Sequence, residues 1–558
     1  MNSKRRNSDS VNFDRRLFLG GSAAVAAGLW MGGGFLNAPS AWAVDTGSAA
    51  SPIAETAAGK VRGRMEKNIC AFRGIPYGAS TEGSARFLPP SKPQPWTGVR
   101  DALEVAPKAA QARAGGGLVA EYAPMDWSGP MSEDCLHLNV WTPGLKDNRK
   151  RPVMLWLHGG GYARSSANSD LYNGTNLGIA HDVVVVGANH RLNIFGYLYL
   201  AGTGDPRYAS SSNVGMLDIV AALEWIRDNI ANFGGDPNNV TIWGQSGGAG
   251  KVSTLMGMPA AKGLFHRAIV ESGSATDSVS PDDATKFAQQ VLAKFNIGAN
   301  NVTAIQNVPQ DQLLQMMLTR EGGRALAPVV DGHTLPAIPF APVASDLSAN
   351  IPLLIGSNET EVTWNANTDY TPLDDAALRE RVKKVGKIDD GQADRLIAVY
   401  RKGFPKASDL DLALIIDSDY TFARPGIDLE SERKAAQGKA PVYKYYFRWY
   451  SPVNGGHIRA MHTMELPFIY RNFDVSKTEV GDNITSEMLA LSDTMSLAWT
   501  TFARTGNPNH KAVPHWPAFD AQKQAMMIFN TPEGKAMNDP YREQRQMRMS
   551  FTTQQSKL

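Results

Sequence analysis

The sequence predicts an α/β protein with one large, mostly parallel central sheet, helices on both faces and helical excursions over the site. Three observations predict it. First, several short runs are almost continuously apolar: residues 152–157 read Pro-Val-Met-Leu-Trp-Leu, and 182–186, 240–243, 268–270 and 351–355 read alike. Strands apolar at every position, rather than at every second one, are those buried on both faces of a parallel sheet. Second, helical text separates these runs. Leu217, Val220, Ala221, Leu223, Trp225, Ile226 and Ile230 fall at roughly helical spacing and stop at Gly234-Gly235-Asp236-Pro237. Third, the 558 residues are 43% hydrophobic and 20% charged, with no internal repeat and no long low-complexity linker. That is ordinary globular composition, and one large domain fits it best.

The chain opens on a targeting segment. Asp14-Arg15-Arg16-Leu17-Phe18-Leu19 carries a twin arginine before apolar residues, a weakly apolar run covers 20–36, and Ala41-Trp42-Ala43 is a small-x-small cleavage site. The run is Gly-rich and shorter than a membrane span, which argues against a permanent anchor. Residues 1–43 are therefore expected to be a twin-arginine export signal, and 44–558 the mature, periplasmic or secreted domain. Ser556-Lys557-Leu558 spells a peroxisomal address. It conflicts with a three-part export signal and is read as coincidence. Net charge is +2. Lys4, Arg5, Arg6, Arg15 and Arg16 against Asp9 and Asp14 give the signal +3, so the body is near −1. Such a body has no electrostatic footprint for nucleic acid. Cys70 and Cys135 are the two cysteines; in an exported protein they either pair or stay as buried thiols.

Past the polar leader, 60–65 and 69–72 read as an N-terminal hairpin around Glu66-Lys67-Asn68. Residues 74–78 and 86–90 hold turn residues. The small, glycine-rich stretch 109–117 reads as a mobile surface loop. Residues 133–141 end in strand-like alternation. The blocks 282–324 and 372–439 are helical and charged, with helices expected near 374–384 and 391–401. They are read as excursions that wall the site. Residues 441–449 and 525–529 are later strands.

The chemistry centres on Gly244-Gln245-Ser246-Gly247-Gly248, which follows an apolar strand and precedes a helix. This is a nucleophile-elbow pattern, in which a sharp strand-to-helix turn presents a serine hydroxyl. A Cβ at either flanking glycine would collide across the turn. Alone the pattern is weak, since about 0.3 chance matches arise in a chain of this length and glycine content. A serine needs a base, a group to orient the base, and donors for the oxyanion. Strand 153–157 runs into His158-Gly159-Gly160-Gly161-Tyr162, a loop suited to supply backbone N–H groups. Gly159, Gly160 and Gly247 are the expected donors, and His158 is expected to stabilise the loop. The acid should follow strand 351–355, where Glu359 and Glu361 both stand; Asp331 is a third candidate that reads as a turn residue. The base should follow the acid. His457, His462, His510 and His515 qualify, and position after strand 441–449 favours His462 over His457.

These motifs resemble the type-B carboxylesterases, the cholinesterase-like branch of the α/β-hydrolases. The matching pieces are Phe72-Arg73-Gly74-Ile75-Pro76-Tyr77, Arg86-Phe87, Glu133-Asp134-Cys135-Leu136, His158-Gly159-Gly160-Gly161 and Asn189-His190-Arg191. They continue with Phe233-Gly234-Gly235-Asp236-Pro237, residues 240–248, Glu271-Ser272-Gly273-Ser274, and Phe502-Ala503-Arg504-Thr505-Gly506-Asn507-Pro508-Asn509. The resemblance covers nearly all of the mature chain. It implies an α/β-hydrolase fold and a Ser246, Glu361, His462 triad, with Ser272 and Glu465 orienting it. It implies a carboxylesterase acting on a small-molecule ester through an acyl-enzyme, without metal or organic cofactor. An amide or carbamate hydrolase on the same triad and, further off, a non-catalytic binding module are the alternatives. The departures are Gln245 and Gly247, where the family usually has Glu and Ala. In addition, Cys135 lacks its usual partner near 109–112, and Trp127 stands near a gorge aromatic.

Overall fold

The apolar runs fold as read, and their alternate residues explain why. The computed structural model describes residues 51–112, 129–319, 325–364, 370–421, 424–532 and 534–555. The main sheet has eleven strands: β1 (Arg64–Glu66), β2 (Ile69–Pro76), β3 (His137–Thr142), β4 (Arg151–Leu157), β5 (Val184–Ala188), β6 (Gly235–Gln245), β7 (Arg267–Glu271), β8 (Leu353–Asn358), β9 (Val442–Phe447), β10 (Ala525–Phe529) and β11 (Lys535–Asn538). Their order is β11-β10-β9-β8-β7-β6-β4-β5-β3-β2-β1. The seven strands from β5 to β10 in this order are parallel to one another. Both margins are antiparallel.

In β4, Val153, Leu155 and Leu157 enter the core on one face, and Met154 and Trp156 enter the core on the other. The same split divides Val240 and Ile242 from Trp243, Ala268 and Val270 from Ile269, and Leu353 and Ile355 from Leu354. Side chains alternate across a strand, so a strand covered on both faces must be apolar throughout. Burying each such side chain contributes roughly 1.5–3 kcal/mol. One cover is the helix Val214–Asn229, which supplies Ile219, Leu223 and Ile226. The other includes the twenty-residue helix Ser486–Thr505, with Met495, Trp499 and Phe502 inward. Periodicity drew no helix there from sequence. Trp156, Trp243 and Tyr470 pack with ring centroids within 5.4 Å of one another, Trp243 stacked on Tyr470 and Trp156 edge-to-face with both.

The expected hairpin forms only next to its turn, as β1 and β2 with Met65 opposite Cys70; residues 59–62 pair instead with 53–56 in a separate small sheet. The block 282–324 yields helices Pro281–Lys294 and Gln310–Met316 within its described part. The block 372–439 yields Asp375–Gly386, Asp390–Gly403, Asp409–Thr421 and Arg424–Ala436; the first three build a small core of their own around Leu396, Ile397 and Ile416, and the fourth packs Ile427 into the main core.

One expectation changes, and one open alternative is decided. The described part of 109–117 is no surface loop: Ala109, Ala110 and Gln111 are buried. Gln111 donates to Ala109 O and Ser165 O, and Asn193 donates to Ala110 O. Small side chains here allow close packing rather than mobility. Cys70 and Cys135 are both free and buried, so they do not pair. Residues 1–50, including the signal, and Trp127 lie outside the described residues, as does the Ser556-Lys557-Leu558 tail. Among the described residues no helix is long and apolar enough to cross a membrane.

Candidate active site

Parallel strands bring their carboxyl ends to one edge, and loops from different strands meet there. β4 ends in the Gly159-Gly160-Gly161 loop, β6 in Ser246, β8 in the turn that carries Glu361, and the segment after β9 holds His462.

Ser246 sits at φ 60°, ψ −126°, between β6 and the helix Gly247–Leu255. A non-glycine residue there costs on the order of 1–3 kcal/mol and persists only where neighbours enforce it. Its N–H donates to Glu271 O at 2.8 Å, and its carbonyl accepts from Gly250 N at 3.0 Å. The glycines have the expected steric cause. A Cβ on Gly244 would lie 2.6 Å from Leu157 O and Gly248 C, and one on Gly248 would meet the Leu157 carbonyl. Gly247 has a cause that sequence did not reveal. Its Cβ would stand 2.5 Å from Gly161 C, so the glycine loop closes directly on the elbow. Gly159 lies against the elbow as well, its Cβ position 3.3 Å from Ser246 Cβ. Gly160 and Gly161 hold φ of 80° and 64°, which few other residues adopt. His158 Nδ1 lies 3.0 Å from Gly159 O, the stabilising contact expected of it.

The two glutamates separate cleanly. Glu361 is fully buried, and its Oε2 lies 2.7 Å from His462 Nδ1. Its Oε1 accepts from Ser272 Oγ at 2.6 Å and from Asn358 N at 2.7 Å. Glu359, equally buried, pairs instead with Arg448 at 2.5 Å. Asp331 accepts backbone N–H groups of His333, Thr334 and Leu335, which makes it the turn residue it resembled. His457 is exposed and faces Tyr370. His510 lies 3.1 Å from Thr494 O, and His515 is exposed.

Glu465 accepts from Asn358 Nδ2 at 2.5 Å, and Asn358 in turn donates its backbone N–H to Glu361. Burial first, and the nearby Glu361 carboxylate second, push the Glu465 carboxyl up to about 8. Burial likewise raises Glu271, which accepts from Trp499 Nε1 at 2.5 Å. Burial thus biases both carboxyls toward the protonated form, and both stand behind Glu361.

Sequence reasoning noted Gln245 but not its contact. Its Nε2 lies 3.1 and 3.2 Å from the two ring nitrogens of His462. A nitrogen so nearly equidistant from both cannot lie in the ring plane without striking Cε1. The amide therefore rests over the imidazole face. Asn358 was visible only as part of a motif, and nothing in the sequence marked Lys251 as buried.

The sheet order, the strained serine turn and the acid–histidine pair at the carboxyl edge define an α/β-hydrolase fold. A family model described as "Carboxylesterase family" matches residues 50–549. The chain is 34% identical to para-nitrobenzyl esterase of Bacillus subtilis over 506 residues, covering 88% of this chain and 98% of the relative. It is 34% identical to phenmedipham hydrolase of Pseudarthrobacter oxydans, covering 88% and 97%. Among solved structures, carboxylesterase EST55 of Geobacillus stearothermophilus matches with TM-score 0.75 at 35% identity, covering 89% of this chain and 99% of that one. An esterase from Clostridium hathewayi, described as hydrolysing aliphatic aromatic polyesters, matches with TM-score 0.78 at 33% identity, covering 89% and 98%. The chain belongs to the carboxylesterase family and is a carboxylic ester hydrolase.

Proposed function

We propose that Ser246, Glu361 and His462 are the catalytic triad of an exported esterase acting on small-molecule esters. The observation that carries this reading is the buried chain Ser272–Glu361–His462, whose histidine is touched by Gln245, the residue before Ser246. Glu361 fixes Nδ1 of His462, which leaves Nε2 for the serine. Ser246 Oγ attacks the ester carbonyl and gives its proton to His462. Backbone N–H groups of Gly159, Gly160 and Gly247 stabilise the oxyanion. His462 returns the proton to the departing alcohol, and an acyl-Ser246 remains. Water, deprotonated by His462, then releases the acid. Ser272 and Glu465, through Asn358, hold Glu361 in place.

Fluorophosphonate labelling and p-nitrophenyl acetate turnover test the assignment. Ser246→Ala should abolish both; turnover at the wild-type rate would refute it. The export reading rests on Arg15-Arg16 and Ala41-Trp42-Ala43. Replacing both arginines with lysine in a bacterial host should retain the precursor in the cytoplasm. Undiminished release of the mature chain would overturn that reading.

A further inference from the structure

Arg424 opens the last helix of the block 372–439, Arg424–Ala436, and is buried. Its Nη1 pairs with Asp419 at 2.8 Å, and its guanidinium lies 4.3 Å over the ring of Tyr446. Its Nη2 donates to Asn358 O at 2.6 Å. The strand register leaves that carbonyl past the end of the ladder with β7. Carbonyls two residues apart in a strand point to the same neighbour. Gly356 O accepts from Ser272 N at 2.8 Å, so Asn358 O points to the same side, where β7 has already ended at Glu271. The chain turns off there, and a Cβ on Gly273 would strike Ser246 O. The helix takes the vacated place: its Gly426 has no room for a Cβ against Ser274 Oγ. A buried guanidinium is costly to desolvate, and replacing a buried ion pair by apolar side chains is often neutral or stabilising. The pair with Asp419 therefore does not by itself account for the arginine.

Its backbone acceptor does. We propose that Arg424 is a positioning residue for the acid of the triad, acting through the main chain of Asn358. The residue that gives its carbonyl to Arg424 gives its N–H to Glu361 Oε1 at 2.7 Å, and Glu361 Oε2 lies 2.7 Å from His462 Nδ1. In the peptide between residues 358 and 359, Arg424 holds the carbonyl end and Phe447 O holds the N–H end at 3.0 Å. A carbonyl left in the dry interior without a donor loses its hydration for nothing, so without the arginine this peptide turns to find another partner. The turn at 358–361 moves with it and carries the Glu361 carboxylate. The side chain of Asn358 is held separately, by Met461 O at 2.8 Å and Glu465 at 2.5 Å. Those bonds fix the amide and leave the direction of the carbonyl to Arg424. The acid keeps the histidine in the right tautomer and orientation, so its own placement is felt in the rate. The seating of the helix Arg424–Ala436 on the sheet is thereby coupled to Glu361.

The inference rests on Glu361 being the acid of the triad. Its test compares wild type, Arg424→Met, Arg424→Lys and Asp419→Asn in kcat, KM and the pH profile of kcat/KM for p-nitrophenyl acetate. Rates are taken per active site counted by fluorophosphonate, and thermal midpoints are recorded. Arg424→Met should lower kcat at least about tenfold with KM within about twofold. The acid limb should move to lower pH, because a loosened carboxylate stabilises imidazolium less. Arg424→Lys keeps a charged donor and should fall between wild type and Arg424→Met in both. Asp419→Asn removes the ion-pair partner and leaves the bond to Asn358. It should lower the thermal midpoint, with kcat within about threefold of wild type and the limb unmoved. If Arg424→Met does not fold, Arg424→Lys must show the lower kcat and the moved limb by itself; if neither folds, the arginine is structural and the inference falls. A folded Arg424→Met with kcat within about twofold of wild type, or with an unmoved limb, would overturn it. Equal losses of kcat and equal limb shifts in Arg424→Met and Asp419→Asn would overturn it as well, since they mark a general loosening. Wild-type turnover in Glu361→Gln would instead refute the triad. Dependence on Glu361 together with indifference to Arg424 refutes only the present inference.

Discussion

Gly247→Ala is the substitution most sensitive to the geometry of the oxyanion loop. The resemblance read from sequence implies alanine here, yet in this chain the added Cβ would sit 2.5 Å from Gly161 C. Ordinary contact begins near 3.4 Å, so backbone on one side must retreat. The retreat is about 1 Å, and a misplacement of that size near reacting groups costs roughly 10² in rate. If a donor is lost outright, the cost is about 10²–10³, or roughly 2.7–4 kcal/mol. Overpacking adds a stability loss of about 1–3 kcal/mol. The assay is steady-state hydrolysis of p-nitrophenyl acetate, with active sites counted by fluorophosphonate so that unfolded protein is not scored as slow enzyme. Because the donors act on the transition state, kcat and kcat/KM should fall together. A kcat within threefold of wild type would falsify the claim that Gly247 sets the position of the glycine loop.

Two further outcomes follow from named contacts. Gln245→Glu puts a carboxylate over the face of His462, where Nε2 now lies 3.1 Å from Nδ1. A negative charge there stabilises imidazolium, so the acid limb of the kcat/KM profile should move to higher pH; an unmoved limb would remove Gln245 as a neighbour that matters. Glu430 is held protonated up to about 8 by burial, whereas its ordinary value is 4.5. The folded state then binds more protons between these values, and stability falls as pH rises from 4.5 through 8. Glu430→Gln should reduce the difference between urea midpoints at pH 5.5 and pH 8; an unchanged difference would show that Glu430 does not titrate in this way.

What the sequence determined by itself was whatever depends on local pattern. A strand buried on both faces must be apolar throughout, so 152–157, 240–243 and 351–355 were legible as core strands. A serine turn that cannot hold a Cβ on either side must be written with glycines, so Gly244 and Gly248 marked Ser246. Strand order put the acid and the base after it, and the resemblance to carboxylesterases pointed to Glu361 and His462. Local pattern could not separate Glu359 from Glu361. Both are buried, and only the fold turns one toward Arg448 and the other toward His462. It could not distinguish a floppy glycine-rich loop from the packed Ala109-Ala110-Gln111, because small residues serve both. It gave no reason for Gly247, whose constraint comes from Gly161, far away in sequence and adjacent in space. Nor did it mark Lys251, since a lysine on a helix reads as solvated until the neighbouring sheet edge and loop enclose it. Contacts between segments distant in sequence decide which polar groups face each other in the dry interior, and those contacts exist only once the sheet has assembled.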